Sequence, residues 1–509
     1  MTMTSHVRLG LIVAILLSSA VARAQTFHTC RAFTENPHDT LDCLEAIFSE
    51  DPVHATFSGM PPGNGIAVGA VLEQNTHYVS PFASPATTQL TPGSAALQPP
   101  NTSTSKVPAL GSLWSADGRL SAIVSSNGSW ATTGMLTIMP RGYHPSHRTD
   151  HNGSQVDCNK LGFLCTNKIL GLHFESAHRS LQTISFYGIG PRSPITKYTY
   201  HQNDTYGSFR ASLPIADWLA VESGLELRQA DIPFTTSFNS VSANFTPATA
   251  PGLAAQPTFT HSYVAIRSAP LLYASPRTDD KDLNHTGPLM KPYLLFTLRN
   301  SAEYHWFAAQ SAPASSFQQF VLDSDENVQI ASMTRRYEQV QDVKGSLSHL
   351  WYKMLARDCG DSGIDWSKPL DYVLKVRQRC TYGSLDVRAH MVASRTGPGS
   401  SVPFYLQPTV GGSDIDSRLS LRAYPDYRFR GPDAVAVQAD LSLPLHLLMF
   451  YDAGTVGPTF SSLSFGHLRQ DAGAGFGVSI NGSLIAQAYM AWGSSGAVPT
   501  FGYNFSKLF

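Results

Sequence analysis

The sequence predicts an all-β protein, a transmembrane antiparallel β-barrel, on three observations: an N-terminal export signal, apolar residues recurring with a period of two, and no later apolar run of helix-spanning length. The export signal comes first in the chain. His6 and Arg8 precede an apolar stretch from Leu9 to Leu17, and Ala22-Arg23-Ala24 supplies the small residues of a cleavage site. Basic, apolar and small residues in that order make residues 1–24 a secretory signal peptide, so the rest is expected outside the cytoplasm. Downstream, no stretch approaches the roughly 18 apolar residues of a membrane helix. A chain without such helices still crosses a bilayer if its backbone hydrogen bonds close into a barrel of strands about 9 to 11 residues long.

The periodicity is clearest in three segments. Ile66, Val68, Ala70 and Leu72 share one face of a strand. Leu219, Val221, Leu225 and Leu227 share a parity opposed by Glu222, Glu226 and Arg228, and Leu385, Val387, Ala389 and Met391 are opposed by Asp386, Arg388 and His390. Such alternation fits lipid-facing apolar residues against a polar lumen, and a soluble sheet with one wet face shares it. Further strands are expected at 118–126, 129–139, 171–177, 181–189, 206–213, 263–268, 293–298, 435–443 and 450–456, with varied spacing that allows short turns at one rim and longer excursions at the other. The Pro/Ser/Thr/Gly-rich stretches 81–108 and 239–257 read as loops. Residues 63–509 are therefore assigned to the barrel, and residues 25–62 to a short periplasmic segment or plug with one small helix near Leu41–Phe48. At the C-terminus Phe501, Tyr503, Phe505 and Phe509 share a parity, with Lys507 as the exception. This is the pattern of a final strand that closes the barrel against the first, or of an edge strand in a soluble sheet.

Composition narrows the partners. A formal net charge of -1 with 14% charged residues and no basic run gives no electrostatic footprint for nucleic acid. Thirty-nine glycines, 20 tyrosines and 26 phenylalanines suit a sheet with aromatic residues at bilayer interfaces, so outer-membrane lipids are the first expected partner. The six cysteines pair by proximity as Cys30 with Cys43, Cys158 with Cys165 and Cys359 with Cys380, candidate disulfides of an oxidising compartment. Other connectivities and free thiols stay open, whereas a metal site is poorly supported because neither Cys158 nor Cys165 belongs to a CxxC pair.

Enzymatic chemistry finds little support. Residues 143–151, which include His144, His147 and His151, are rich in metal-ligand types, yet their proline and polar content reads as an exposed loop without a ligand spacing. No nucleophile elbow, dinucleotide fingerprint or P-loop is present, so no enzyme activity, cofactor or metal is expected.

The most specific stretch is SLRAYPDYRFRGPDAVAVQADLSLPLHLLMFYDAGTVG, from Ser420 to Gly457. Leu421-Arg422-Ala423-Tyr424 and the basic aromatic run Tyr427-Arg428-Phe429-Arg430 precede a strongly alternating strand; after a turn near Pro444, Phe450-Tyr451-Asp452-Ala453-Gly454 places an acid in the next strand. Arg422 on a loop folded into the lumen is expected to pair with Asp452 on the wall and fix the loop's position.

At these residues the chain resembles the BamA/TamA family of outer-membrane proteins, in the bacterial surface antigen superfamily. In that family an inward-folded loop carries Arg-Gly-Phe/Tyr, matched here by Arg422 and Tyr424, and a wall strand carries aromatic-Asp-Ala/Met-Gly, matched by Tyr451, Asp452, Ala453 and Gly454. Ala423 stands where the family has glycine, and its methyl is expected to displace the loop or alter its mobility if that position needs positive φ or close approach. The resemblance implies a sixteen-stranded barrel with an inward-folded loop, a weak seam between first and last strands, and a role in outer-membrane protein assembly or polypeptide translocation. Its implied partners are unfolded outer-membrane proteins or exported polypeptides. Residues 25–62 leave no room for the family's usual periplasmic domains, so a periplasmic accessory protein is a further expected partner. A porin, an exporter or a passive surface barrel is the alternative.

Overall fold

The computed structural model describes residues 53–76, 114–140, 147–149, 155–157, 171–216, 219–268, 271–274, 293–334, 378–416, 418–443, 447–463, 465–480, 483–494 and 496–503. One antiparallel sheet dominates it. In chain order its strands are β1 (Val53–Gly59), β2 (Ile66–Thr76), β3 (Trp114–Ser125), β4 (Trp130–Pro140), β5 (Gly171–Phe186), β6 (Tyr198–Ala216) and β7 (Leu219–Asp231). There follow β8 (Phe259–Ser268, continued by Leu271–Ala274), β9 (Tyr293–Ala309), β10 (Phe317–Thr334), β11 (Gln378–Thr396) and β12 (Asp433–Leu443). The last four are β13 (Leu447–Gly457), β14 (Arg469–Ile480), β15 (Ser483–Gly493) and β16 (Gly496–Tyr503). Both pieces of β8 pair with β9 in one direction, so the sheet's 17 segments make sixteen strands, each bonded to its neighbours in sequence.

This meander is rolled into a barrel around the loop between β11 and β12. Tyr427 of that loop donates from its hydroxyl to Pro62 O, between β1 and β2, while Tyr424 of the same loop shares a hydrogen bond with Ser494, just after β15. Opposite ends of the strand order thus meet one loop. Across the mouth, Gly190 N donates to Arg430 O and Arg469 Nη2 to Pro191 O.

The alternation sorts the two faces. Ile66, Val68, Leu225, Leu227, Val437 and Met449 are exposed on the outside, whereas Glu222, Gln438 and Asp452 are buried on the inside. An apolar exterior with a polar, hydrogen-bonded interior is the inverse of a soluble sheet's burial, and it is the surface of an outer-membrane barrel. Among the described residues no helix is long and apolar enough to cross a membrane.

Several boundaries differ from expectation. The first strand begins at Val53, ahead of the expected barrel start at residue 63, and pairs along its length with β2. The expected strands 171–177 and 181–189 are one strand, β5, with a bulge opposite β6 between Leu181 and Ile184 that interrupts the parity. Residues 239–257 are a folded loop with a short helix α1 (Val241–Asn244), capped by Ser240 Oγ accepting from Ala243 N. Phe245 of this loop packs edge-on to Phe186 and Tyr198, within a cluster of Leu181, Ile184, Phe404 and Tyr427 that fills one end of the lumen. In the polar stretch 143–151, read as an exposed loop, His147–Thr149 pairs with Gln155–Asp157 as a small hairpin.

Both rims carry long and short connections, unlike the division expected from spacing. The rim with residues 397–432 also has the Gly493–Gly496 turn, and the opposite rim has residues 335–377 beside the short Ala216–Leu219 connection. The cysteines fall in segments that join the barrel at this second rim: Cys30 and Cys43 precede β1, Cys158 and Cys165 connect β4 to β5, Cys359 connects β10 to β11, and Cys380 starts β11 opposite Ser332. Cys30, Cys43, Cys158, Cys165 and Cys359 lie outside the described residues, as do the signal peptide, the helix near Leu41–Phe48, the loop 81–108, Pro444, Phe505 and Phe509.

Candidate functional site

The loop between β11 and β12 enters the lumen because its backbone is built to turn there. Gly411 and Gly412 adopt φ of +112° and +58°, and a Cβ on Gly412 would lie 2.5 Å from Asp426, so this approach is open only to glycine. Gly412 N donates to Leu421 O and Ser420 N to Gly412 O, folding residues 412–421 back on themselves. Short strands Thr409–Val410 and Phe429–Arg430 pair at the loop's base. Tyr427 has φ of +60°, a strained position for a non-glycine residue, held by burial of its ring and by its bond to Pro62.

At the tip, Arg422 and Asp452 meet. Arg422 Nη2 donates to Asp452 Oδ1 at 3.1 Å and the Arg422 backbone N–H to Oδ2 at 3.2 Å. Nε lies 3.0 Å from Oδ2, an ion-pair contact outside hydrogen-bond alignment. Arg422 Nη2 also bonds Asp440 of β12, which holds Arg388 of β11 as well. The guanidinium stands 3.9 Å from the centre of the Phe450 ring, and Gln438 Nε2 donates to Asp452 Oδ1 and to Ser420 O. The Arg422 side chain is 3% exposed and that of Asp452 0%. A buried pair of this kind is costly to break, about 3 to 5 kcal/mol, because the survivor is left as an unpaired buried charge.

Asp471 of β14 completes the seat. Its Oδ2 accepts from Ala423 N at 2.9 Å, so the carboxylate holds the loop's backbone rather than its charge. Ala423 itself is fully buried without positive φ, and a Cβ on Gly493 would lie 2.9 Å from the Ala423 methyl. The loop is therefore docked despite Ala423: the wall supplies at Gly493 the space that the motif lacks. Gly454 makes room in the same way, since a Cβ there would lie 2.7 Å from Val410 Cγ1.

Not every expected residue joins the seat. Tyr451 neighbours Asp452 in sequence, so the pleat turns it to the opposite face, where it is 45% exposed. Phe501 and Tyr503 lie in β16 opposite Ala488 and Ala486 of β15. Arg388, Asp440 and Asp471 were not anticipated, although Arg388 and Asp440 occupy polar positions of alternating strands. Nor was a second anchor: Arg428 donates from both terminal nitrogens to Ser193, and Arg430 from Nη1 to Phe404 O. On the facing wall Asp204 of β6 is fully buried between Arg179 and Arg228, at 2.8 and 2.7 Å. Between the loop and β8 to β12 lies a chamber of about 500 Å³, lined by Arg267, Arg299, Asp323, Arg388, His390 and Arg418.

Within the loop, burial pushes Asp426 above the ordinary carboxylate range, against the bond it accepts from Ser413 N. Burial and then Asp416 raise Asp414 likewise. Burial lowers Arg428, where the first opposing influence is the Tyr187 hydroxyl and Arg469 adds to the lowering.

No family model and no curated protein matches the chain. Among solved structures it is similar to BamA from Haemophilus ducreyi lacking POTRA domains 1–3, at TM-score 0.42 and 10% identity over 89% of this chain and 68% of that one. CdiB from Acinetobacter baumannii gives 0.38 and 12% over 91% and 66%, and CdiB from Escherichia coli 0.41 and 11% over 90% and 61%. The likeness is one of fold alone. The chain spans about two thirds of the length of these structures, and its barrel stands on its own strand order and on the loop at its centre.

Proposed function

We propose that the chain is an outer-membrane barrel that handles polypeptides, inserting outer-membrane proteins or translocating exported chains, with the docked loop governing access to the lumen and the seam. The observation that carries this reading is the seat of Arg422 between Asp440 and Asp452, with Ala423 N held by Asp471. A wide passive pore gains nothing from a buried ionic anchor, whereas a barrel that switches between closed and working states needs one loop position fixed until it is released. Phe404, Tyr405 and Tyr427 fill one end of the lumen, which argues against free solute passage.

The seam is the second support. β1 and β16 stand first and last in the strand order, and Pro499 within β16 brings no N–H. Among the described residues no pairing joins them. The edges of β1 and β16 would offer backbone donors and acceptors to a client strand by β-augmentation, a conformational mechanism without covalent chemistry. Clients are unfolded outer-membrane proteins or exported polypeptides, delivered by a periplasmic accessory protein.

Acute depletion followed by an inventory of folded outer-membrane proteins and of exported polypeptides tests this. Unassembled or unexported clients are expected to accumulate. An unchanged inventory together with size-selective conductance in planar bilayers overturns the proposal in favour of a porin.

A further inference from the structure

We infer that the Arg422 seat holds one proton shared between Asp452 and Asp471, and that loss of this proton releases the loop. The inference begins with a charge count. Arg422 and Arg388 bring two cations, while Asp440, Asp452 and Asp471 bring three carboxyls, all in one contact network. With every carboxyl ionised the seat carries one uncompensated negative charge. Asp452 is 0% exposed and Asp471 3%, so water cannot screen that charge.

Geometry locates the proton. Asp452 and Asp471 are direct cross-strand partners in the β13–β14 register, both on the lumenal face, which sets their carboxyls side by side. Both Asp452 oxygens already receive donors from Arg422, and Asp471 Oδ2 receives Ala423 N–H. Asp471 Oδ1 is buried and has no donor. A proton held between Asp471 Oδ1 and the Asp452 carboxyl fills this gap, restores charge balance, and turns carboxyl repulsion into a bond, as in other buried carboxyl dyads.

No other group facing the seat provides the missing charge. Arg388 is engaged by Asp440 on β12; Gln438, also on β12, donates to Asp452 without charge; Phe450 presents a ring face to Arg422; Arg469, two residues before Asp471 on β14, turns to Pro191 O and the Phe429 ring; and Tyr424 of the loop and Tyr489 of β15 add no cation. Asp471 is thus a positioning residue that fixes the tip backbone through one oxygen and neutralises the seat through the other. Once the loop leaves, Arg422 departs and water enters, and both carboxyls ionise at ordinary carboxylate pH. The docked seat therefore binds one proton more than the released seat, and docking weakens as pH rises toward the docked pair's own titration point.

The test reads the loop and the proton directly in the full-length barrel, so it stands apart from whatever the barrel carries. Difference infrared spectra at neutral pH are expected to show a neutral carboxyl band that disappears in Asp471→Asn. The band should also disappear in Asp440→Asn, which balances the seat without a proton. Hydrogen exchange at the Arg422 and Ala423 amides, corrected for intrinsic pH dependence, should accelerate about tenfold per pH unit in the linkage window of the wild type and lose that slope in Asp471→Asn. Asp471→Ala should speed exchange at the Ala423 amide at every pH. Persistence of the band in Asp440→Asn, or equal slopes in wild type and Asp471→Asn, overturns the inference. Heat-modifiable migration confirms folding of each variant, and the Asp440→Asn arm decides if Asp471→Asn does not fold.

Discussion

The methyl group of Ala423 fills the space left by Gly493: a Cβ on Gly493 would lie 2.9 Å from the Ala423 Cβ, with the Tyr424 ring at 3.3 Å. Loop and wall are therefore complementary at one carbon atom. Gly493→Ala is expected to loosen the docked loop by about 1 to 3 kcal/mol through overpacking. Ala423→Gly should be mild, and the double variant should recover most of the loss. Hydrogen exchange at the Arg422 amide measures all three, and a double variant no better than Gly493→Ala would contradict the complementarity.

Arg422→Ala leaves Asp452 buried without its cation and should weaken docking by about 3 to 5 kcal/mol. Charge exchange, Arg422→Glu with Asp452→Arg, is expected to restore docking only in part. Glu at position 422 meets Asp440, a second carboxylate that a two-residue exchange leaves in place. Proteolysis after Arg418, which is half exposed in the docked loop, reports release. Full recovery in the exchange variant would mean that Asp440 has little weight.

Asp426→Asn keeps an oxygen for Ser413 N while removing a charge that burial penalises. Because the folded value of Asp426 is raised, its neutral form favours the docked loop, and stability is lost as pH rises from the ordinary carboxylate value through the raised one. The asparagine variant escapes that loss. Its thermal midpoint should exceed the wild type at neutral pH and converge with it in acid; a gain that persists in acid would rule out the charge as its cause.

Gly473 lies under the Phe450 ring, which in turn faces Arg422; a Cβ at Gly473 would run into that ring and the Met490 carbonyl oxygen. Gly473→Ala should displace the ring and weaken docking without touching a charged group. Unchanged exchange at the Arg422 amide would show that the ring merely fills space.

Leu227, 53% exposed on the outer face, tests the bilayer. Leu227→Arg is expected to cost up to about 4 kcal/mol of stability in lipid vesicles, depending on depth. Denaturant titration in vesicles measures it, and a cost near zero would place this face in water.

Much of the barrel was legible because strands such as β2, β7 and β11 carry large apolar residues outward at every second position. β14 and β10 were not. The run Ala472-Gly473-Ala474-Gly475 shows no hydropathic alternation because its small residues make way for Phe450 and Tyr489 from neighbouring strands. In β10 the stretch Asp323-Ser324-Asp325-Glu326 sets an acid on each face and hides the period. Within the seat, Arg422 and Asp452 were readable from local motifs, whereas Asp440 and Asp471 act through the cross-strand register. Gly493 likewise acquires its role only when β15 reaches the loop tip.

The bond from the Tyr427 hydroxyl to Pro62 O joins residues 365 apart, and the Arg192–His467 contact spans 275. Neither can close until most intervening strands have been laid side by side, so these tethers belong to the end of the folding trajectory. Loop protection should accordingly appear after the bulk of the β signal in refolding into vesicles. A chain stalled with its sheet incomplete would carry an untethered loop, which makes docking a natural mark of a finished barrel.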